Sequence, residues 1–534
     1  MASDELEGIA EKAAQGGVFL FVGNAVAIAI LAVGSIIIAR LLGPSNYGLY
    51  SLTFVTPTLF VSFADVGMNY VLVNFPARLR STDQYDAANR AIRLGILLKV
   101  AVSVVAFLVC YLGADAITAT VLNRPELGPY LRLAAVLIIL QAVFDATTNS
   151  FIGLDLMHYS ASTQILYALL KSVLGPAFVL AGLGLVGAIT GYLLGALVAG
   201  TVGAAILFVR FVHPEAGVIQ QHSDSLRAML AYGTPLYLAA IFTVFIGQYQ
   251  NLVLPRFADN VQIGNFNAAW NFNIFLSILI SPISTAIFPM FSKMDPYSER
   301  SDLVRAFSLA VKYASFVLLP ASIGVMVFSK NLIYLTYGAG YVLAPRYLMI
   351  VSAYCLLTGI GLNVISSFLN GVAATRTTLK ITALTLGVYI PLGPILTWID
   401  GPNGLLIAYI VSYTVSTLYG VRSVSSSFDA QPDYRSSLRT LLASLVAAVL
   451  PAILIEVRAI GTDLISLIGG GVLYLIIYLT LMPIFGAVDS QDTKNLETLL
   501  CNKRAVALYV RPVLTYERRI LSAMGCKIEK QKVY

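Results

Sequence analysis

The sequence predicts an all-α integral membrane protein with about fourteen transmembrane helices. Runs of about 20 apolar residues, the length that crosses a bilayer as a helix, recur from Gly17 to near Phe485. Only 11% of the 534 residues are charged and 58% are hydrophobic, whereas a soluble domain carries roughly 25% charged residues. The runs lack the polar and apolar alternation of a membrane β-barrel, so a helical bundle is expected.

The predicted spans follow the apolar runs. By residue number they are 17–39, 49–73, 94–113, 130–152, 164–183, 186–209, 229–254, 265–290, 306–329, 346–369, 379–399, 403–421, 438–456 and 464–485. An even number of spans places both termini on the same side of the membrane.

An internal duplication organises these spans. The segment 39–52 returns 216 residues later, with an arginine, a glycine eight residues on and an aromatic residue two further on. The recurring residues are Arg40, Gly48 and Tyr50 in the first copy and Arg256, Gly264 and Phe266 in the second. In addition, 93–99 (RLGILLK) opens helix three and 305–312 (RAFSLAVK) opens helix nine.

Six spans separate the copies, so both halves enter the membrane in the same orientation, and a parallel pseudo-two-fold axis is expected. The predicted regions are a six-helix lobe (1–215), a second six-helix lobe (216–425), two additional helices (426–485) and a basic cytoplasmic tail (486–534). The tail suits a helix on the inner membrane surface or a disordered end.

Charge placement predicts the orientation. With the N-terminus inside, the inner segments hold 17 Lys and Arg residues besides nine in the tail, and the outer segments hold seven. Positive charge favours cytoplasmic loops, so both termini are expected in the cytoplasm of a cell-membrane protein. The start is polar and acidic where a signal peptide would be short and basic, so a cleavable signal is not expected. The same bias explains the net charge of +7 without a nucleic-acid partner.

Cofactor chemistry is not predicted. The four cysteines are scattered without a CxxC pair, and the sequence has three histidines, so neither a disulfide framework nor a metal site is expected. No Walker or GxGxxG loop joins a strand to a helix, so ATP use is not expected.

Two segments carry a family resemblance: IIIARLLGPSNYGLYSL (36–52) and FADVGMNYVLVNFPAR (63–78). They resemble the opening of the polysaccharide biosynthesis, or O-antigen flippase, family of the multidrug and oligosaccharidyl-lipid exporter superfamily. The resemblance implies that the protein moves an undecaprenyl- or dolichyl-linked oligosaccharide from the cytoplasmic to the outer leaflet. It also implies an ion gradient as the energy source. Glycosyltransferases and a polymerase or oligosaccharyltransferase are the implied partners, besides membrane lipids.

Charged residues inside the predicted spans are the first candidates for the site, because a charge at membrane depth costs at least about 2.5 kcal/mol and is retained where it faces a cavity or a partner. Asp145 and Lys171 lie equally far from the loop between helices four and five, so they should share a depth. We predict either an ion pair, or a substrate phosphate at Lys171 with Asp145 tuning it. A pair that only locks the two helices is the structural alternative.

Asp65 and Lys99 should also lie at a comparable depth. Asp65 is predicted to couple transport to an ion by binding a proton or sodium, and its alternative role is to cap amides freed by a bend at 65–67. Lys99 and Lys312, the repeated lysines of helices three and nine, are predicted substrate-binding cations.

Helices seven and eight carry an unusual density of amide and aromatic residues. Amides hydrogen-bond sugars and aromatic faces stack on them, so these residues are predicted to line a glycan cavity with one amide of helix one. Polar contact between helices is the alternative. The predicted lining residues are Asn24, Gln248, Asn251, Asn267, Trp270 and Asn271.

These features favour a transporter over an enzyme. A cation-coupled multidrug exporter is the main alternative, although such exporters usually have about twelve helices. A lipid II flippase is disfavoured because no charge lies between Lys12 and Arg40. A membrane glycosyltransferase or polymerase would place an acidic and basic cluster in a long outer loop, whereas the outer loops here are short.

Overall fold

The computed structural model describes residues 2–212, 222–292, 294, 300–457, 460–500 and 504–523. Within these ranges the regular structure is helical, without strands, which confirms the predicted fold class. The α-helices are α1 (Ala2–Ala64), α2 (Met68–Arg80), α3 (Tyr85–Leu112), α4 (Ala114–Thr120), α5 (Gly128–Ala135), α6 (Leu137–Gly153), α7 (Met157–Phe178), α8 (Gly184–Arg210), α9 (His222–Val253), α10 (Asn260–Ser292), α11 (Arg300–Val327), α12 (Ser329–Thr336), α13 (Ala344–Ala353), α14 (Leu362–Gly371), α15 (Thr375–Phe428), α16 (Tyr434–Glu456), α17 (Leu464–Ile484), α18 (Ser490–Leu500) and α19 (Arg504–Ala523).

Two of these helices each extend over two predicted spans, although the second span of α1 (49–73) continues past its end at Ala64 into α2. The backbone of α1 leaves helical geometry at Gly43 (φ 71°, ψ 170°), and that of α15 does so at Asp400 and Gly401. Both breaks fall in predicted loops. Short loops therefore appear as kinks in a continuous helical trace.

Eight helical segments of the described chain are long and apolar enough to cross a membrane, or nine if the bent pair 344–371 forms one span. Three of the eight are more than 50 residues long, so each can hold two crossings. The chain is a multi-pass membrane protein. The predicted count of fourteen is consistent with these segments and stays a prediction.

The chain forms two compact units. The first contains residues 1–268 and 393–405, and the second contains 269–392 and 406–534. The predicted lobe boundaries at 215 and 425 stay a prediction. Of the predicted tail 486–534, residues 501–503 and 524–534 lie outside the described residues.

The two copies of the duplicated segment meet inside the first unit. A Cβ atom on Gly48 would lie 2.1 Å from the carbonyl oxygen of Asn260, and one on Gly264 would lie 1.8 Å from that of Pro44. Only glycine permits backbones to approach this closely. The motif glycines therefore mark a helix crossing between α1 and α10.

Arg124 reinforces this crossing from the loop after α4. Its guanidinium donates to the side chain of Asn260 (2.8 Å) and to the backbone oxygens of Ala258 (2.7 Å) and Pro255 (3.2 Å). Arg256, an arginine of the duplicated motif, donates to the carbonyl of Thr120 (3.2 Å). Each of the two segments, 120–124 and 255–260, thus donates hydrogen bonds from an arginine to acceptors on the other.

Candidate functional site

A helix break positions the first acidic residue of the site. Helix α1 ends at Ala64 and α2 begins at Met68, and between them Val66 and Gly67 have φ of 45° and 80°. A Cβ on Gly67 would also lie 2.4 Å from the carbonyl oxygen of Gly233 in α9. Both the left-handed backbone and the close approach require glycine here.

Asp65 sits on this break and pairs with Lys99 of α3. The lysine nitrogen lies 2.8 Å from Asp65 Oδ1 and 4.0 Å from Asp145 Oδ2 of α6, and the Lys99 side chain is only 1% exposed. The prediction that Asp65 caps freed amides is wrong, because α2 receives no side-chain cap. The carboxylate is oriented toward the buried ammonium, which offers a stronger electrostatic partner than a backbone amide.

Amides complete the network around this charge cluster. Lys99 donates to Asn69 Oδ1 (2.5 Å), and Asn149 donates to the same oxygen (3.0 Å) and to the backbone oxygen of Asp145 (2.7 Å). Gln141 donates to Asp145 Oδ1 (2.9 Å). Lys99 and Asp145 are therefore surrounded by fixed dipoles, which stabilise ionised groups away from water.

The cluster lines a cavity of about 420 Å³. Asp65, Asp145, Asn69 and Asn149 are polar residues of its lining. Tyr237 of α9 also lines it, and the Tyr237 hydroxyl donates to the backbone oxygen of Phe63 (2.9 Å). Two carboxylates face one lysine, so the fully ionised cluster carries one net negative charge. Such a cavity is suited to a small cation and unsuited to a bare phosphate.

Sequence reasoning missed the amides of this cavity. Asn69 follows Asp65 by four residues and Asn149 follows Asp145 by four. A spacing of four places side chains on one helical face. That signal was available for Asn149 on the continuous α6, whereas the break at 65–67 hides it for Asn69.

Lys171 lies against an aromatic wall. Its nitrogen is 3.4 Å from the ring centroid of Tyr192 and 5.8 Å from that of Tyr167. The predicted ion pair of Lys171 with Asp145 is wrong, since the lysine beside Asp145 is Lys99. Equal depth on two helices does not fix which face of each helix a side chain occupies. The described part of the chain gives the Lys171 ammonium no carboxylate partner.

The aromatic wall continues to the duplicated motif. Tyr192 packs on Phe54 (4.5 Å between ring centroids), and Phe54 packs edge-on against Tyr50 (5.1 Å). Tyr50 is the aromatic residue of the first motif copy. The cation thus lies at one end of a run of ring faces that starts at the motif.

The structure shows contacts for several of the predicted amide and aromatic residues. Asn267 is buried and donates to the Ile263 carbonyl of its own helix (3.0 Å), and Asn251 donates to Gln248 (3.3 Å). Trp270 packs edge-on against Tyr409 (5.1 Å). Asn24 and Asn271 are both partly buried. Their assignment to a glycan cavity stays a prediction.

Lys312 has a partner from the chain itself. Its nitrogen donates to Asp492 of α18 at 2.6 Å. In this conformation the predicted substrate-binding cation is therefore occupied by a carboxylate.

The model of the family described as polysaccharide biosynthesis protein matches residues 13–295, which is more than half of the chain. The chain belongs to this family. The match includes both copies of the duplicated segment and every member of the Asp65, Lys99 and Asp145 cluster.

Two relatives carry functional names. The lipopolysaccharide biosynthesis protein WzxC of Escherichia coli K12 is 23% identical over 76% of this chain and 80% of its own length. The probable low-salt glycan biosynthesis flippase Agl15 of Haloferax volcanii is 20% identical over 38% of this chain. That alignment spans only 42% of the relative.

Two solved structures share the fold. The lipid II flippase MurJ in an inward closed conformation aligns with a TM-score of 0.72 at 14% identity, covering 88% of this chain and 98% of MurJ. An inward-facing multidrug resistance MATE family transporter aligns with a TM-score of 0.61 at 18% identity, covering 76% of this chain and 98% of its own length. At these identities the likeness establishes the fold alone.

Proposed function

We propose that this protein flips a polyprenyl-phosphate- or pyrophosphate-linked oligosaccharide from the inner to the outer leaflet of the cell membrane. The proposal is consistent with membership of the polysaccharide biosynthesis family and with relatives named as a flippase and a lipopolysaccharide biosynthesis protein. The observation that carries it is Lys171, an ammonium at membrane depth that faces aromatic rings and has no acidic partner in the described part of the chain.

The surroundings of Lys171 match the chemistry of such a lipid. A phosphate requires a cation, and sugar rings stack on aromatic faces, so an ammonium next to Tyr192 and Tyr167 offers both. A lysine inside a membrane protein without a counter-ion retains a charge that costs free energy. An anionic substrate that arrives at this position would offset that cost.

The Asp65, Lys99 and Asp145 cluster is the proposed coupling site. With one net negative charge, the cluster can bind one proton or one sodium ion. The cavity beside the cluster provides space and amide oxygens. Lys99 lies 1.2 Å closer to Asp65 than to Asp145. Neutralising Asp65 would therefore favour a shift of Lys99 toward Asp145, and such a shift changes the contacts among α2, α3 and α6.

Three further proposals concern the orientation of the termini, the absence of catalysis and the partner proteins. Both termini are proposed to be cytoplasmic, and the protein is proposed to act as a transporter without catalysis of its own. The partners are proposed to be glycosyltransferases together with a polymerase or an oligosaccharyltransferase, which would supply and consume the substrate.

Transport in proteoliposomes tests the proposal. A fluorescent polyprenyl-pyrophosphate oligosaccharide is placed in the vesicles, its movement is followed by quencher accessibility, and a proton or sodium gradient is imposed. We expect gradient-dependent movement that is lost in Lys171→Met. Export of a cationic dye without movement of the lipid would overturn the proposal in favour of the multidrug exporter.

A further inference from the structure

The carboxy-terminal helix α18 provides the counter-ion of a buried lysine. Asp492 is 3% exposed and Lys312 of α11 is 12% exposed, and their charged groups lie 2.6 Å apart. These residues are separated by 180 positions in the chain. The contact joins the end of the protein to a helix of the second repeat.

The duplication shows why this contact is unusual. Lys99 and Lys312 close the equivalent segments 93–99 and 305–312. The first repeat supplies two carboxylates to its lysine, from predicted spans two and four. The corresponding spans of the second repeat, 265–290 and 346–369, contain no acidic residue. The tail therefore supplies the charge that the second repeat lacks.

The local structure of the tail presents Asp492 in a fixed position. The Asp492 side chain accepts from the Asp489 amide (3.0 Å) and the Asp489 side chain accepts from the Asp492 amide (2.8 Å), which is a reciprocal cap at the start of α18. The hydroxyl of Tyr313, the neighbour of Lys312, lies 3.4 Å from the same carboxylate and accepts from Asn495 (3.1 Å). A carboxylate is thus held by an ammonium, a phenol and an amide.

Two of these donors, the Lys312 ammonium and the Tyr313 hydroxyl, belong to α11 and would stay to donate to a phosphate oxygen if α18 left. A buried ammonium whose partner simply leaves is strongly destabilised. Exchange of one anion for another preserves the charge balance. The contact is therefore difficult to open without an incoming anion and far easier to open with one.

We infer that α18 masks an anion site at Lys312 and Tyr313, and that a phosphate or pyrophosphate group displaces Asp492 from it. The site as such requires only a phosphate-bearing ligand. Its use to admit the lipid-linked substrate rests on the proposed flippase function. In that case the tail releases Lys312 only when the substrate's own phosphate arrives.

Amine footprinting of the full-length protein tests the site independently of transport. Acetylation of Lys312 is measured by mass spectrometry in wild type, in Asp492→Asn and in the control Asp429→Asn, which alters the exposed pair of Asp429 with Arg300. We expect Lys312 to be acetylated several-fold faster in Asp492→Asn only, and millimolar sodium pyrophosphate to restore its protection. Equal labelling in the three proteins, or no protection by pyrophosphate, would overturn the inference.

A second measurement needs no substitution. Hydrogen exchange of α18 in the wild-type protein is followed in nanodiscs of phosphatidylcholine alone, with added pyrophosphate, with phosphatidylglycerol, or with a polyprenyl pyrophosphate. We expect faster exchange with a phosphate ligand that reaches Lys312. A response to the polyprenyl lipid alone identifies the substrate, and a response to phosphatidylglycerol identifies a headgroup site. No response to any of the three ligands contradicts the masked site even if lipid flipping is observed.

Discussion

Gly48 and Gly264, the glycines of the two motif copies, lie directly against each other's helices. A Cβ on Gly48 would lie 3.0 Å from the backbone nitrogen of Gly264, and a Cβ on Gly264 would lie 3.1 Å from that of Gly48. The two residues therefore occupy equivalent positions on opposite sides of one crossing. The duplicated motif is explained by this geometry, since each copy provides the small residue that the other requires.

The first prediction is that Gly264→Ala prevents the crossing from closing. The added methyl would lie 1.8 Å from the Pro44 carbonyl oxygen, and the backbone must move to accommodate it. We expect destabilisation by about 1–3 kcal/mol, a lower melting temperature and loss of transport. Gly387→Ala is the control, because a Cβ there meets no atom within 4 Å. Equal melting temperatures of the two variants would contradict the prediction.

The second prediction concerns Lys99 as the shared partner of two acids. Lys99→Met leaves Asp65 and Asp145 facing each other without a cation, so we expect a loss of about 3–5 kcal/mol. The double variant Asp65→Asn with Lys99→Met should recover most of this loss, because only one charge remains. Thermal unfolding in detergent measures both. A single variant as stable as the double variant would show that the pair is not coupled.

How far the sequence predicts this site can be seen from its lysines. Hydropathy and loop lengths give the depth of a residue in the membrane. They predict a comparable depth for Asp65 and Lys99, and these two residues do form an ion pair. Depth alone also predicts an ion pair of Asp145 with Lys171. That prediction is wrong, because the rotation of the helix about its axis directs Lys171 toward Tyr192. The helical class and the duplication depend on the order of residues along the chain, so the sequence predicts them. The partner of Lys171 also depends on which face its helix turns to its neighbours, and the order of residues does not give that.

The contact of Lys312 with Asp492 had no sequence signal of this kind. The tail is separated from α11 by six further α-helices, and nothing in its composition indicates which lysine it will meet. Long-range contacts of this type depend on the packing of the whole second unit. Their prediction requires coordinates.

The third prediction separates binding from stability at Lys171. A cation–π contact contributes about 0.5–2 kcal/mol, so Lys171→Met should lower the melting temperature only slightly while transport falls at least tenfold. Lys171→Arg retains the charge and should keep part of the activity. Transport rates and thermal unfolding are measured on the same preparations. A Lys171→Met protein that transports normally would remove the phosphate-binding role.

The fourth prediction concerns the clamp at Arg124. Arg124→Ala leaves the Asn260 side chain and the oxygens of Ala258 and Pro255 without this donor. Hydrogen bonds to a charged donor contribute about 1.5–3 kcal/mol, so a clear drop in melting temperature is expected. Arg132→Ala is the matched control, because Arg132 pairs with the exposed Asp115 and exposed pairs contribute about 0–1 kcal/mol. If Arg132→Ala proved the more damaging change, the clamp would have no role.

The last prediction is that attachment of the tail depends on pH through Glu517. This residue of α19 is 4% exposed, and burial, with a smaller contribution from the charge of Asp492, raises the pKa of Glu517 from 4.5 to about 7. Tyr478 of α17 also interacts electrostatically with it. A detached Glu517 would titrate near its ordinary value. Between pH 4.5 and 7 the detached tail is therefore ionised while the attached tail stays protonated, and attachment weakens steadily as the pH rises.

Above pH 7 both states of Glu517 are ionised and its contribution to the dependence ends, so this contribution favours attachment most below pH 4.5 and least above pH 7. Hydrogen exchange of α19 at pH 5.5, 6.5 and 7.5, corrected for the intrinsic exchange rate, measures this directly, and protection should fall as the pH rises. Glu517→Gln cannot ionise, so its protection should stay high and change little over this range. A wild-type protein whose protection rises with pH, or a Glu517→Gln protein that follows the wild-type curve, would rule out Glu517 as the titrating group.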